Sequence, residues 1–301
     1  MPTWDEILKE VEDRNPLKVL EDYIKKLNEK TGNTTICYMS AFTLIKPPVP
    51  SPFHSIIDQD IQGFMTCAKS VNKEKLDLII HTPGGDYEAT KRIINYLHST
   101  FKYIRVFVPH LAMSGGTLIA CAADEIYLGP YSSLGPTDPQ VLLGKQYLPI
   151  HAIIEEFEKA FIEVSTDPRK ALLWNERLKQ IPFGMLRAIE NMRDNSFKYL
   201  IELLKIRNCP KKSSNELEQI AKFLNSIEGH SSHSKGICFA EAQKQGLNVK
   251  NLKDEKKLED AVLSIYHSGI ILFEKTSAQK FIINHTGRRY INNYSQTQLI
   301  N

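Results

Sequence analysis

The sequence contains few cysteines, and their spacing suggests no shared structural role. The five cysteines lie far apart and never form a Cys-x-x-Cys pair: Cys37, Cys67, Cys121, Cys209 and Cys238. A disulfide framework or a cysteine zinc site would require paired or regularly spaced cysteines. We therefore expect a cytoplasmic protein in a reducing compartment, without a metal centre.

Long apolar runs and blocks of one charge sign are also missing. No stretch reaches the roughly 18 apolar residues of a membrane span, and the first residues, Trp4, Asp5 and Glu6, do not resemble a signal peptide. The net charge of +3 is spread along the chain without a long basic block. The sequence therefore does not indicate a basic surface for binding nucleic acid. We expect a globular protein with no membrane span and no nucleic-acid partner.

A strand, a turn and a helix follow one another twice between residues 76 and 123. The apolar strands 76–80 and 103–108 are followed by the glycine turns 82–86 and 112–116, and then by helical patterns at 87–99 and 117–123. This alternation predicts an α/β fold with a parallel sheet and right-handed crossovers. Ligands of such sheets bind at the carboxyl ends of the strands, where both glycine turns lie.

The pattern of predicted helices and strands divides the whole chain into four segments. Residues 1–52 contain N-terminal helices and a first strand, 53–149 the catalytic core, 150–228 a helical extension, and 229–301 an αβ ending. The tail after Gly287 is polar, and we expect it to be disordered. The apolar positions of 150–206 make the helical extension the candidate interface for assembly.

Ser114 is the candidate nucleophile. It lies between small residues, in Ala112-Met113-Ser114-Gly115-Gly116, at a strand-to-helix turn that projects the hydroxyl into a cleft. Attack on a carbonyl also needs donors aimed at the developing oxyanion, and losing one typically costs about 2.7–4 kcal/mol. The amides of Gly85 and Gly115 are the candidate donors, because glycine permits close approach of the backbone to a substrate.

A serine hydroxyl also needs a base, which a third group often orients. Asp138 follows the third predicted strand between two prolines, and a turn-capping role is an equal alternative. His230 and His233, which lie three residues apart, are the candidate bases, and His110 is a further alternative. A solvated loop or half of a metal site are the other interpretations of the histidine pair, although no nearby carboxylate or cysteine completes a metal site.

Three motifs together resemble the serine dehydrogenase proteinase family. They are Leu78–Gly85, Val108–Thr117 and Ser133–Gln140, and a weaker resemblance extends over most of the chain. The family consists of serine peptidases with the Clp protease/crotonase fold, distantly similar to the Clp proteolytic subunit and to signal peptide peptidase A.

The resemblance implies a peptidase with the chain order Ser, Asp, His, which maps to Ser114, Asp138 and His233. The Clp triad itself does not transfer, because Thr137-Asp138-Pro139 stands at the interval where the Clp subunit has its histidine. Relatives of the signal peptide peptidase A type use a serine and a lysine, so a dyad with Lys159 or Lys170 stays open. The resemblance also implies a homo-oligomer, a peptide or unfolded-protein substrate and no cofactor, and it identifies no ATPase partner.

Two other functions fit the same fold. A crotonase-type acyl-CoA enzyme would use paired amides to stabilise an enolate, although the sequence has no adenine-binding signature. A scaffold could retain the fold without a working base. Serine dehydrogenase activity is disfavoured, because neither a pyridoxal-binding lysine motif nor a Gly-x-Gly-x-x-Gly dinucleotide motif is present.

Overall fold

A seven-stranded sheet organises the computed structural model, which describes residues 3–44, 50–144, 146–179, 181–225 and 236–294. The strands along the chain are β1 (Thr34–Ser40), β2 (Lys75–His81), β3 (Tyr103–Val108), β4 (Leu111–Ala112), β5 (Glu125–Leu128), β6 (Ser133–Leu134), β7 (Gln140–Leu143), β8 (Gln146–Pro149), β9 (Val249–Asn251), β10 (Ala278–Asn284) and β11 (Arg289–Asn293). The order across the large sheet is β11-β10-β1-β2-β3-β5-β9. Strands β1, β2, β3, β5 and β9 run parallel, whereas β10 pairs antiparallel with both of its neighbours, β1 and β11.

Helices cover both faces of this sheet. They are α1 (Trp4–Glu12), α2 (Pro16–Thr31), α3 (Asp60–Cys67), α4 (Tyr87–Thr100), α5 (Gly115–Cys121), α6 (Ile150–Thr166), α7 (Ala171–Leu178), α8 (Met185–Leu203), α9 (Ser214–Asn225), α10 (Phe239–Lys244) and α11 (Lys256–Lys275). No helix in the described ranges combines the length and the apolar character needed to cross a bilayer.

The alternation of side chains along the strands divides the core into two layers. Leu78 and Ile80 of β2 pack with α3, α4, α5, α8 and α9, whereas Ile79 packs with α2 and α11. Both faces of a parallel sheet are normally covered in this way, which explains why the strands are continuous apolar runs. The predicted α/β fold with a mostly parallel sheet is confirmed.

Local sequence signals explain where α2 begins and ends. The Asn15 side chain accepts a hydrogen bond from the Leu17 amide, Pro16 is the first helical residue, and Gly32 ends the helix with φ 69°. Asparagine at the cap, proline at the first position and glycine after the last turn are the residues that these positions favour.

The end of the chain differs from the prediction of disorder after Gly287. Arg289–Asn293 form β11, which pairs with β10 at one edge of the sheet. The same sheet takes β1 from the predicted segment 1–52 and β9, β10 and β11 from 229–301. The four segment boundaries stay predictions.

Candidate active site

Ser114 has a backbone conformation that is unusual for a residue with a Cβ atom. It lies between β4 and α5 with φ 48° and ψ −112°, and its side chain does not cap the helix. Only Ser70 shares a positive φ among the non-glycine residues of the described ranges. Such conformations cost about 1–3 kcal/mol and concentrate at functional sites, where the surrounding structure enforces them. The half-buried Ser114 is therefore held in a strained turn.

The Gly84–Gly85 turn touches this strained turn. Gly84 has φ 88°, and a Cβ atom on it would lie 2.8 Å from both the Ser114 Cβ atom and the Gly115 nitrogen. A Cβ atom on Gly85 would lie 2.3 Å from the carbonyl oxygen of Ile56. Both positions therefore need glycine, because the backbones on either side leave no room for a side chain.

Residues on both sides of Gly85 are fixed by one residue of the preceding loop. The Ile56 amide donates to the Gly84 carbonyl oxygen at 2.8 Å, and the Asp86 amide donates to the Ile56 carbonyl oxygen at 2.9 Å. These two bonds leave Gly85 between them. Gly85 and the first residue of α5, Gly115, consequently belong to two turns in direct contact.

A cavity of about 840 Å³ opens beside the two turns. Its lining residues are Pro52, Ser55, Ile56, Ile57, Pro83, Gly84, Gly85, Asp86, Tyr87, Met113, Ser114, Gly115, Leu118, Thr137, Pro139, Gln140, Tyr147 and Met192. No histidine or lysine is among these described residues, and Asp86 accepts a hydrogen bond from the Ala89 amide at 2.7 Å. The cavity is thus mainly apolar around a serine and backbone amides.

Asp138 is buried immediately behind the cavity wall formed by Thr137, Pro139 and Gln140. Its Oδ2 atom lies 3.8 Å from the Nδ1 atom of His151, the second residue of α6. Sequence reasoning missed His151. The available signal was the β7–β8 hairpin, whose register opposes Gln140 to Pro149 and therefore brings the flanking residues Asp138 and His151 together.

His230 and His233 lie outside the described residues. Described residues on each side of these histidines, Leu224 and Ile237, contact the segment that precedes Asp138. The Thr137 amide donates to the Leu224 carbonyl oxygen at 2.8 Å, and Leu134 exchanges two backbone hydrogen bonds with Ile237, at 3.0 and 2.7 Å. Chain positions 224 and 237 are thus both attached next to the cavity wall.

His110 lies against α11, and it is not among the described residues that line the cavity. Its Nδ1 atom is 2.9 Å from the hydroxyl of Tyr266, and its ring stacks on His81 at 5.6 Å. Burial lowers the pKa of His110. Burial, with a smaller contribution from the neighbouring His110, lowers the pKa of His81 to about 3.

The two lysines that sequence reasoning considered lie on the helical extension, and both are exposed. Lys159 belongs to α6, and the Nζ atom of Lys170 lies 3.4 Å from an Oε atom of Glu163. Neither lysine lines the cavity. Within the described ranges, no three His, Cys, Asp or Glu residues come together in a way that could hold a metal ion.

A sequence profile of the ClpP-like SDH-type serine proteinases matches residues 7–272, which is most of the chain. The chain belongs to this family. The match confirms the resemblance carried by the three motifs, and it covers the Gly84–Gly85 turn, the Ser114 turn and Asp138.

Two curated relatives of this chain come from Methanocaldococcus jannaschii. MJ0137 is 33% identical over 234 residues, which cover 77% of this chain and 72% of the relative. MJ1495 is 33% identical over 247 residues, which cover 81% and 75%. Both are described as uncharacterized proteins.

Solved structures show more distant similarity. A mutant of the 1510-N membrane-bound stomatin-specific protease aligns with a TM-score of 0.42 and 15% identity, covering 68% of this chain and 79% of that one. A mutant of ClpP1 from Listeria monocytogenes aligns with a TM-score of 0.40 and 13% identity, covering 76% and 98%.

Four of the five thiols of the protein are enclosed in the core. Cys37, Cys67, Cys121 and Cys209 are buried, and burial raises the pKa of each. Cys238 is half-buried and directly follows Ile237, the residue that pairs with Leu134. It is the most accessible cysteine.

Proposed function

We propose that this protein is a serine peptidase that cleaves peptide bonds through an acyl-enzyme on Ser114. The observation that carries the proposal is the strained Ser114 turn, in contact with Gly84 at the mouth of an apolar cavity. A folded protein retains a strained non-glycine residue where the rest of the structure over-determines it, and such sites are typically functional. The family supports the same chemistry.

In the proposed reaction a base takes the proton of the Ser114 hydroxyl as its oxygen attacks the substrate carbonyl carbon. The amides of Gly85 and Gly115 donate to the oxyanion of the tetrahedral intermediate. The leaving amine takes the proton from the base, and the acyl group stays on Ser114. Water then attacks the acyl-enzyme while the same base accepts its proton. The base returns this proton to the Ser114 oxygen as the bond to the acyl carbon breaks, which releases the second product and restores the enzyme.

We assign the base to His233, oriented by Asp138. The support is that described residues on either side of the stretch that contains His233 bond close to Asp138. Leu224 bonds to Thr137 of the cavity wall, and Ile237 bonds to Leu134. Asp138 is buried, and a buried carboxylate beside an imidazole stabilises the imidazolium that forms during attack. His230 is the neighbouring alternative, and His151 already contacts Asp138.

The cavity lining suggests which peptides are accepted. Met113, Leu118 and Met192 present apolar side chains. Asp86, the one acidic residue among the described lining residues, is engaged as a helix cap. An apolar pocket without a free opposite charge excludes charged side chains, because their desolvation is not compensated. We therefore expect cleavage next to apolar residues, as in unfolded protein segments.

Assembly into a homo-oligomer is also proposed. The helical extension exposes large apolar side chains, including Phe161 at 76%, Leu172 at 80% and Phe183 at 109%. Large apolar side chains exposed along one segment favour a protein-protein contact there. Sedimentation velocity should show an oligomer that dissociates in a Phe161→Glu/Leu172→Glu variant, and a monomeric wild-type protein would contradict the proposal.

The activity is tested by fluorophosphonate labelling and by digestion of unfolded casein. The wild type should be labelled at Ser114 and should digest casein, whereas Ser114→Ala should do neither. Ser70→Ala removes the other serine with positive φ and should retain both properties. Equal casein digestion by wild type and Ser114→Ala would rule out the proposed nucleophile.

A further inference from the structure

A fully buried ion pair joins Lys280, on β10, to Asp60, the first residue of α3. The Lys280 ammonium lies 2.8 and 2.9 Å from the two carboxylate oxygens of Asp60, and both side chains have zero exposure. Removing two charges from water carries a large desolvation cost, so a buried pair contributes little net stability by itself. The pair therefore calls for an explanation other than stability.

Each member of this pair also bonds to the short stretch of backbone around Ile56. Lys280 donates to the carbonyl oxygen of Ser55 at 2.7 Å, and Asp60 accepts from the amide of Ile57 at 3.1 Å. The phenol of Tyr38, on β1, donates to Asp60 at 3.0 Å. The pair thus fixes the backbone on both sides of Ile56.

Ile56 is hydrogen-bonded to the residues before and after Gly85, the candidate oxyanion donor. Its amide and carbonyl bond to Gly84 and Asp86, and the Gly85 backbone approaches it too closely for a Cβ atom. Any shift of Ile56 is therefore transmitted to Gly85. Oxyanion donors must lie about 2.7–3.1 Å from the oxyanion, so their value depends on exact placement.

We propose that the buried Lys280–Asp60 pair positions the oxyanion turn at Gly84–Gly85 by fixing the Ser55–Ile57 backbone. The inference rests on the proposed function, and it assigns Lys280 and Asp60 as positioning residues. They do not touch the substrate, because neither lines the cavity. Their effect reaches the reaction through Ile56.

The decisive variant is Asp60→Asn/Lys280→Met. It removes both buried charges together, which avoids the penalty of leaving one charge unpaired. The carboxamide oxygen that replaces the carboxylate keeps an acceptor for the Ile57 amide, whereas the bond to the Ser55 carbonyl is lost.

A matched control is Asp77→Asn/Arg105→Met. It neutralises another ion pair, at 2.8 Å, near the beginnings of β2 and β3 and away from the cavity. Both variants alter a largely buried pair, so a general loss of stability should affect them alike.

Two readouts separate the inference from the proposed activity. Amide hydrogen exchange at Ile56 and Asp86 measures the two bonds that bracket Gly85 without requiring any catalysis. We expect exchange about 10-fold faster in Asp60→Asn/Lys280→Met and unchanged in the control. Casein turnover should fall about 10- to 100-fold in kcat with KM within about 3-fold, the split expected when a transition-state donor is misplaced.

The outcomes are distinct. Unchanged exchange at Ile56 and Asp86 in the folded Asp60→Asn/Lys280→Met protein overturns the inference, whatever its activity. Faster exchange with an inactive wild type supports the positioning role and refutes the proposed function. If the double variant does not fold, Tyr38→Phe removes one donor to Asp60. It should speed exchange at Ile56 about 3-fold, and an unchanged rate there overturns the inference.

Discussion

Replacing Gly84 with alanine should disable Ser114 while leaving the fold intact. Gly84 has φ 88°, a left-handed conformation that costs an L-residue about 1–2 kcal/mol. Its new Cβ atom would also lie 2.6 Å from the Met113 carbonyl oxygen and 2.8 Å from the Gly115 nitrogen. The two turns must separate by roughly 0.6–0.8 Å to restore ordinary contact at 3.4 Å.

A misplacement of about 1 Å can cost about 10²-fold in rate, which corresponds to about 2.7 kcal/mol. The expected result for Gly84→Ala is therefore a fluorophosphonate labelling rate about 10²-fold below that of the wild type. Gly32→Ala is the matched control, because Gly32 has φ 69° and its Cβ atom would meet nothing within 4 Å. It should lose similar stability from backbone strain and keep the wild-type labelling rate.

Labelling rates and melting temperatures of both variants test the reasoning together. Because the clash is confined to Gly84, the two folded proteins should differ in labelling by far more than in stability. Equal labelling of Gly84→Ala and Gly32→Ala would refute the claim that contact between the two glycine turns controls the nucleophile.

Three further predictions concern strain, the base and pH. Ser114→Gly should raise the melting temperature by relieving about 1–2 kcal/mol of backbone strain, and it should abolish labelling. Ser70→Gly should also stabilise the protein but leave it active. A lower melting temperature in both variants would contradict the proposed strain. His233→Ala should slow labelling at least about 10²-fold and His151→Ala less than about 10-fold; the reverse ranking would make His151 the base. The pKa of His81 is about 3 in the folded protein and 6.5 when unfolded, so the unfolded state binds more protons and stability falls as the pH drops from 6.5 towards 3. Urea unfolding should show a loss of about 2–3 kcal/mol between about pH 7 and pH 4.5 that His81→Gln lacks.

The parallel part of the fold could be predicted because its signals are local. Each of β2 and β3 is a short apolar run followed directly by a glycine turn and a helix, and the handedness of such units is fixed. Ser114 could be chosen for the same reason, since its turn is recognisable within five residues. Its positive φ could not be predicted, because it depends on contact with Gly84 from another turn.

β10 and the Asp138 environment were missed because their causes are distant in sequence. All seven residues of β10 are buried, yet the strand contains Gln279 and Lys280, which interrupt any apolar pattern. Lys280 can be buried because Asp60 meets it there, 220 positions away along the chain. His151 approaches Asp138 through the register of β7 and β8, two short strands without a strong apolar alternation.

Because the other four cysteines are buried, Cys238 can serve as a site for attaching a fluorescent probe. Maleimide dyes react with accessible thiolates, so brief labelling of the native protein should attach a fluorophore at this position alone. Cys238 adjoins Ile237, which is paired with Leu134 next to the cavity wall. A dye at Cys238 would thus report peptide binding by fluorescence, even in the Ser114→Ala protein and without any engineered cysteine.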